Sequence, residues 1–171
     1  MEDVIDLTYH TVKLFTLESE KDEITLEIAK KIIEDGRIGI INYDNSIRFL
    51  DILTSLDSAR EIIRYLDINS KYVVIKGAIT DKLLEDLMKF TDKYKDVTIL
   101  AEDATKLFLS MKVIEKFQKK KGNIKVITPI KIIAITINPI SPYGYEFDRI
   151  KFLQLLREKI ELPVYDVVTN N

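Results

Sequence analysis

Asp44, Lys76, Asp81, Glu102, Asp103 and Asn138 are the residues of this chain whose types and settings could do chemistry. Each follows an apolar run. Ile38 to Ile41 leads into Asn42-Tyr43-Asp44-Asn45-Ser46, and Tyr72 to Ile75 into Lys76-Gly77-Ala78-Ile79-Thr80-Asp81. Val97 to Ala101 leads into Glu102-Asp103-Ala104-Thr105, and Ile132 to Ile137 into Asn138-Pro139-Ile140-Ser141. Carboxylates gathered this way could hold Mg²⁺ or act as a general base, with Lys76 stabilising negative charge. Gly77 would let backbone approach a ligand. Thr80 and Asp81 open a helix, where free N–H groups suit an anion. Asp81 would repel that anion, which disfavours phosphate, and Lys76 could instead pair with a carboxylate. The same residue types are also the preferred helix caps and turn formers. Each position therefore has a purely structural explanation beside the chemical one.

Those exits need strands behind them. Ile24, Ile28, Ile32 and Ile33 recur at helical spacing, so residues 24 to 35 read as an amphipathic helix stopped by Gly36. Arg37 to Tyr43 reads as a short buried strand. Ser46 can cap a helix holding Ile47, Leu50 and Leu53, and Asp57 or Ser58 its continuation through Ile62, Ile63 and Leu66. Tyr72 to Ile75 is a buried strand, and Thr80 caps a helix with Leu83, Leu84, Leu87, Met88 and Phe90 inward. Val97 to Ala101 is a strand, while residues 106 to 109 fit a strand or a helix start. Ser110 caps a helix from Met111 to Lys121, stopped by Gly122. Strands follow at 124–127 and 131–138. Asp148 caps a helix carrying Ile150, Phe152, Leu153, Leu155 and Leu156, and Val164 to Val168 is the last strand.

Apolar strands alternating with helices predict an α/β fold: one domain over residues 1 to 171, a mostly parallel sheet with helices on both faces, a Rossmann-like three-layer sandwich. Residues 132 to 168 form the clearest βαβ unit. Val4 to Leu17 reads as extended, and residues 1 to 20 as an edge strand or arm. In a parallel sheet all strand exits share one edge. The expected ligand-binding rim is therefore Asn42, Asp44, Lys76, Gly77, Thr80, Asp81, Glu102, Asp103, Asn138 and Ser141.

Composition narrows the chemistry. There are 26 basic and 28 acidic residues, a formal net charge of −2, which gives no pull toward nucleic acid or anionic membrane. The basic run Lys119-Lys120-Lys121 with Lys116 ends a helix, where cations complement the dipole. The absence of cysteine excludes disulfides, thiolate metal sites and cysteine nucleophiles, and a single histidine, His10, excludes a histidine-rich metal site. Five glycines allow no phosphate loop and no dinucleotide fingerprint, and no nucleophile elbow is present. The acidic start and the lack of a long apolar run predict a cytoplasmic protein without a membrane span. Abundant Ile, Lys and Glu without Cys or Trp fits a thermophile or an AT-rich genome.

The segment Asn138 to Asp148 has its own character. Ser141-Pro142-Tyr143-Gly144 suits a type I turn. Tyr143 and Tyr145 offer apolar faces with polar tips, suited to a partner interface or a ligand lid, or to a stiff cover over the core. Phe147 can staple the helix that Asp148 caps.

Three runs resemble a known family: Val73 to Asp81, Glu102 to Ser110, and Ile135 to Asp148 with its Asn-Pro-x-Ser-Pro-Tyr-Gly-Tyr stretch. Over roughly residues 70 to 168 the chain resembles the C-terminal part of accessory, reactivase-like proteins encoded beside lysine aminomutases. The resemblance implies an accessory protein of that cobalamin enzyme. Members of the family carry an N-terminal P-loop half, and these residues hold none, so nucleotide chemistry is not carried over.

Three functions are therefore expected. The first is an accessory protein, a homodimer, binding a small metabolite or a partner protein at the strand edge, with no assigned cofactor. The second is a Mg²⁺-dependent enzyme in which Asp44 or Asp103 is base or ligand and Lys76 the stabiliser. The third is a structural subunit docking through Tyr143 and Tyr145.

Overall fold

A computed structural model describes residues 4–5, 9, 12–13, 15, 17–50, 58–140 and 143–168. The chain divides into two compact units, Leu17–Ile130 and a second made of Met1–Thr16 with Lys131–Asn171. Among the described residues no helix is long and apolar enough to cross a membrane.

The larger unit is mixed α/β. Helix α1 (Glu23–Asp35) starts where the Asp22 carboxylate accepts the Thr25 N–H, and stops at Gly36, whose φ of 87° lets its N–H reach the Ile32 carbonyl. A five-stranded sheet follows in the order β2-β1-β3-β5-β7, with β1 Ile38–Asn42, β2 Ile47–Leu50, β3 Ser70–Ile75, β5 Thr98–Ala101 and β7 Asn123–Val126. Strand β1 is antiparallel to both β2 and β3, whereas β3, β5 and β7 are parallel. Four strands thus run one way and β1 the other. The connecting helices are α2 (Ser58–Tyr65), α3 (Asp81–Phe90) and α4 (Met111–Lys119). Two short strands, β4 (Ile79–Thr80) and β6 (Leu107–Phe108), form a separate parallel ladder. Residues 106 to 109, open to either reading in sequence, thus contribute a strand.

Alternation within the sheet sorts the core. Tyr72, Val74, Leu100 and Ile127 meet Ala29 and Ile32 of α1. Val73 and Ile99 face the other way, toward Ile62, Leu66, Leu87 and Tyr94. Tyr94 stacks on Phe117 of α4, with ring centres 5.2 Å apart. A β-carbon on Gly122 would run into that same Phe117 ring, so the close approach needs glycine; the left-handed residue there is Lys121 (φ 67°).

The smaller unit holds β8 (Ile135–Ile137), α5 (Arg149–Lys159) and β9 (Val164–Asp166). Strands β8 and β9 are parallel, as the βαβ reading requires. Ile137, Phe152, Leu156, Ile160 and Val164 pack with Ile5 in its core.

Three expectations change. Residues 47–50 form a strand, not a helix. Asn45 N–H closes a turn on the Asn42 carbonyl, and Asn45 takes a left-handed φ of 65°, so Tyr43-Asp44-Asn45 is a three-residue hairpin loop. The segment 131–138 is a strand only at 135–137, and it belongs to a sheet of its own with β9. In the amino-terminal segment read as extended, residues 4–5, 9 and 12–13 are helical. Leu53, Asp57, His10, Ser141 and Pro142 lie outside the described residues.

Candidate functional site

The hairpin reverses β1, and this separates the polar groups expected on one rim. Ile38 at the start of β1 pairs with Ile75 at the end of β3, while Asn42 pairs with Ser70 at its beginning. Asn42 and Asp44 therefore lie at the opposite edge from Lys76, Gly77, Glu102 and Asp103. Their neighbours are the residues before β3, with the Tyr43 N–H donating to the Asn69 carbonyl at 2.9 Å. Asp44 accepts the Ser46 hydroxyl at 2.6 Å and the Ser46 N–H at 2.9 Å. Those two bonds, the hydroxyl first, hold its carboxyl below the usual range. The Asn42 amide donates to the Ser46 hydroxyl, and its buried carbonyl oxygen has no hydrogen-bond partner among the described residues. Asn138 follows β8 in the smaller unit and accepts the Ile140 N–H at 3.0 Å. A single rim uniting all these groups is not formed by the central sheet.

At the carboxyl edge of β3 and β5 most polar groups already serve the fold. The Thr80 hydroxyl caps α3 by accepting the Leu83 N–H, and Asp81 accepts the Ser110 N–H at 2.8 Å, joining the starts of α3 and α4. Asp103 accepts both the N–H and the hydroxyl of Thr105, at 2.7 and 2.6 Å. Glu102 lies 4.0 Å from the Lys106 ammonium. The chain after β3 and the chain after β5 pair again as the β4/β6 ladder, and Ile79, Ala104, Leu107 and Leu109 are buried there. What stays open is Lys76 and Gly77. Lys76 is exposed and finds no acceptor among the described residues. Its ammonium lies 3.7 Å from where a β-carbon on Gly36 would sit, close to the carbonyl end of α1. A β-carbon on Gly77 would meet nothing within 4 Å. Among the described residues no three His, Cys, Asp or Glu side chains gather closely enough to hold a metal ion.

Two buried charge clusters were not foreseen in sequence. Glu20, 7% exposed, accepts the N–H groups of Lys21 and Asp22 and pairs with Lys125 at 3.2 Å. Burial opposes its charge, but the Asp22 and Lys21 N–H groups, with Lys125 and Tyr72, outweigh it and hold the carboxyl down at about 2. Burial, and then the hydrogen bond to Glu20, push the Tyr72 phenol up to about 12. The cluster fixes the approach to α1, because Glu20 also donates its N–H to the Val126 carbonyl. The second cluster lies in the smaller unit, where Asp166 is buried and accepts Arg149 Nε at 2.8 Å and the Val168 N–H at 2.8 Å. The signal was there: Lys125 and Asp166 are lone charges between apolar neighbours in short strands, positions that require a partner.

The tyrosine segment forms a short hairpin. Ile140 and Glu146 make an antiparallel bridge, and the Phe147 N–H donates to the Pro139 carbonyl at 3.0 Å. Phe147 packs inward on Phe152 and anchors the base, while Gly144 takes a φ of 83° at the tip. Tyr143 and Tyr145 stand out from it, 88% and 75% exposed. Ile140 beside them and Ile150 on α5 are exposed too, and an open groove of about 420 Å³ runs along α5 past Ile150, Leu153 and Arg157. No family model, curated protein or solved structure matches the chain.

Proposed function

We propose that this chain is a non-catalytic cytoplasmic accessory protein that docks on a larger protein through its tyrosine hairpin. The observation that carries the reading is the exposure of Tyr143 and Tyr145 on a hairpin anchored by Phe147. Tyrosine offers a large, stiff, amphipathic surface at low entropic cost, the character of an interface hot spot. Thr80, Asp81, Asp103 and Asn138 are by contrast spent on caps and turns. The hairpin is also the most specific part of the resemblance to accessory proteins of lysine aminomutases, and that resemblance supplies the partner class, a cobalamin-dependent aminomutase. The helix packing on the two faces of the central sheet supports a Rossmann-like three-layer reading of the larger unit.

Purified lysine aminomutase on a biosensor surface tests the docking. The wild type is expected to bind, and Tyr143→Ala with Tyr145→Ala to weaken binding at least about 30-fold, the loss of one strong hot spot, with an unchanged circular dichroism spectrum. Equal binding by the double variant, or none by the wild type, would sink the reading. Lys76 favours one second reading. An ammonium without an acceptor beside the open Gly77 suits a small carboxylate metabolite at that edge. A carboxylate panel should then raise the melting point of the wild type and not of Lys76→Met; no rise in either removes this reading.

A further inference from the structure

We propose that β8 is an association edge at which two copies of this chain join antiparallel into one continuous sheet. The Ile135 N–H donates to the Pro163 carbonyl at 2.8 Å, and the Val167 N–H to the Ile137 carbonyl at 3.0 Å. Residues 135 and 137 therefore turn their backbone groups toward β9, and by alternation Thr136 turns its N–H and C=O away. Thr136 is exposed, and among the described residues nothing meets those two groups.

Among the described residues the other sheet edges carry guards. Residues 18 to 20 cover the end of β7, with the Glu20 N–H on the Val126 carbonyl and the Val126 N–H on the Glu18 carbonyl. Edge strand β2 carries the charged Arg48, which reaches the Tyr65 carbonyl and Asp67. The outer side of β9 is blocked where Arg157 donates to the Val164 carbonyl at 2.9 Å. Strands β4 and β6 are two residues each, too short to template a partner. Among the described residues β8 alone has no such guard. Between Ile132 and Tyr145 the sequence holds no charged residue. Pro139 lies beyond the end of β8, and its carbonyl accepts the Phe147 N–H, so its missing N–H takes nothing from the strand.

The occupant follows from self-complementarity. With a two-fold axis at Thr136, Thr136 faces Thr136 of the second copy, and Ile135 faces Ile137 on either side. A threonine pair flanked by isoleucine pairs is a favourable cross-strand set with no opposed charge. The two-fold arrangement is the commonest way identical chains associate. It also turns two parallel pairs, each marginal as a two-stranded sheet, into four strands ordered β9-β8-β8-β9 with both copies of α5 on one face.

Analytical ultracentrifugation of the full chain from about 1 to about 100 µM reads the result directly. The wild type is expected at twice its 19.9 kDa mass. Thr136→Lys places two ammonium groups face to face and Thr136→Glu two carboxylates, so each variant should run as a monomer with an unchanged far-UV spectrum. Their equimolar mixture should return to the dimer, which no general folding defect would do. A monomeric wild type over the whole range, a Thr136→Lys variant that dimerises like the wild type, or a mixture that stays monomeric would each overturn the proposal.

Discussion

Replacing Glu20 by Gln tests whether the buried cluster under α1 is held together by ionisation. The folded carboxyl titrates at about 2 against an ordinary 4.5. At about 1.4 kcal/mol per pH unit of difference, the ionised form contributes about 3 kcal/mol to folding. Glu20 is almost fully buried and Lys125 only a quarter exposed, so water screens the pair little. The direction is fixed by linkage. A depressed carboxyl contributes fully above pH 4.5, where the unfolded chain is also ionised, and the contribution disappears as pH falls toward 2. Glutamine keeps the shape, but it cannot carry the charge that the Lys21 and Asp22 N–H groups and Lys125 stabilise. Urea unfolding followed by circular dichroism should show the variant about 3 kcal/mol less stable at about pH 7. The gap should narrow steadily below about pH 4.5 and nearly close at about pH 2. Carboxylates elsewhere titrate in both proteins and cancel in the difference. A gap below about 1 kcal/mol at neutral pH, or one of constant size down to acid, would refute the argument.

Tyr72 gives the mirror case at high pH. Its phenol ionises near 10 when unfolded and at about 12 when folded, so stability falls as pH rises between them; by about pH 11 the wild type should lose about 1.4 kcal/mol that Tyr72→Phe does not, measured by the same unfolding series. Gly39→Ala would place a β-carbon 2.7 Å from the fully buried Ile32 side chain; thermal unfolding should show a loss of about 1 to 3 kcal/mol, partly recovered by adding Ile32→Val. Asp81→Ala removes the acceptor of the Ser110 N–H; amide exchange at Ser110 should quicken and stability drop by about 1 kcal/mol.

Several features were legible because they depend on neighbours a few residues away. The helix at 23–35 stops at Gly36, whose left-handed conformation turns its N–H onto the Ile32 carbonyl. Thr80 and Asp148 cap α3 and α5 through their own side chains. The β8-α5-β9 unit was readable because Ile135 to Ile137 and Val164 to Asp166 flank a helix long enough for a right-handed crossover. The hairpin at Asn42 to Ser46 was misread. Ser46 can cap a helix, but Asn45 can also adopt a left-handed turn, and only pairing of Ile47 to Leu50 with β1 selects the second. That one choice moved Asn42 and Asp44 to the far edge. The tyrosines of the second hairpin, by contrast, were legible as amphipathic side chains suited to an interface, a lid or a cover, and both are exposed.

The sequence by itself determined the alternation of apolar strands and capped helices, the absence of thiol chemistry and phosphate loops, and the candidate polar residues. Each of these is a property of residue type and short-range spacing. Tertiary structure decided strand direction, the division into three sheets and the pairing of Glu20 with Lys125, 105 residues apart. Such long-range contacts depend on which apolar faces meet, and residue types alone do not encode that choice locally. Strand direction in turn sets which loops share an edge. The polar groups expected on one rim are therefore divided, with Asn42 and Asp44 at one edge of the central sheet and Lys76, Glu102 and Asp103 at the other, and Asp44, Asp81 and Asp103 hold a turn or a helix start.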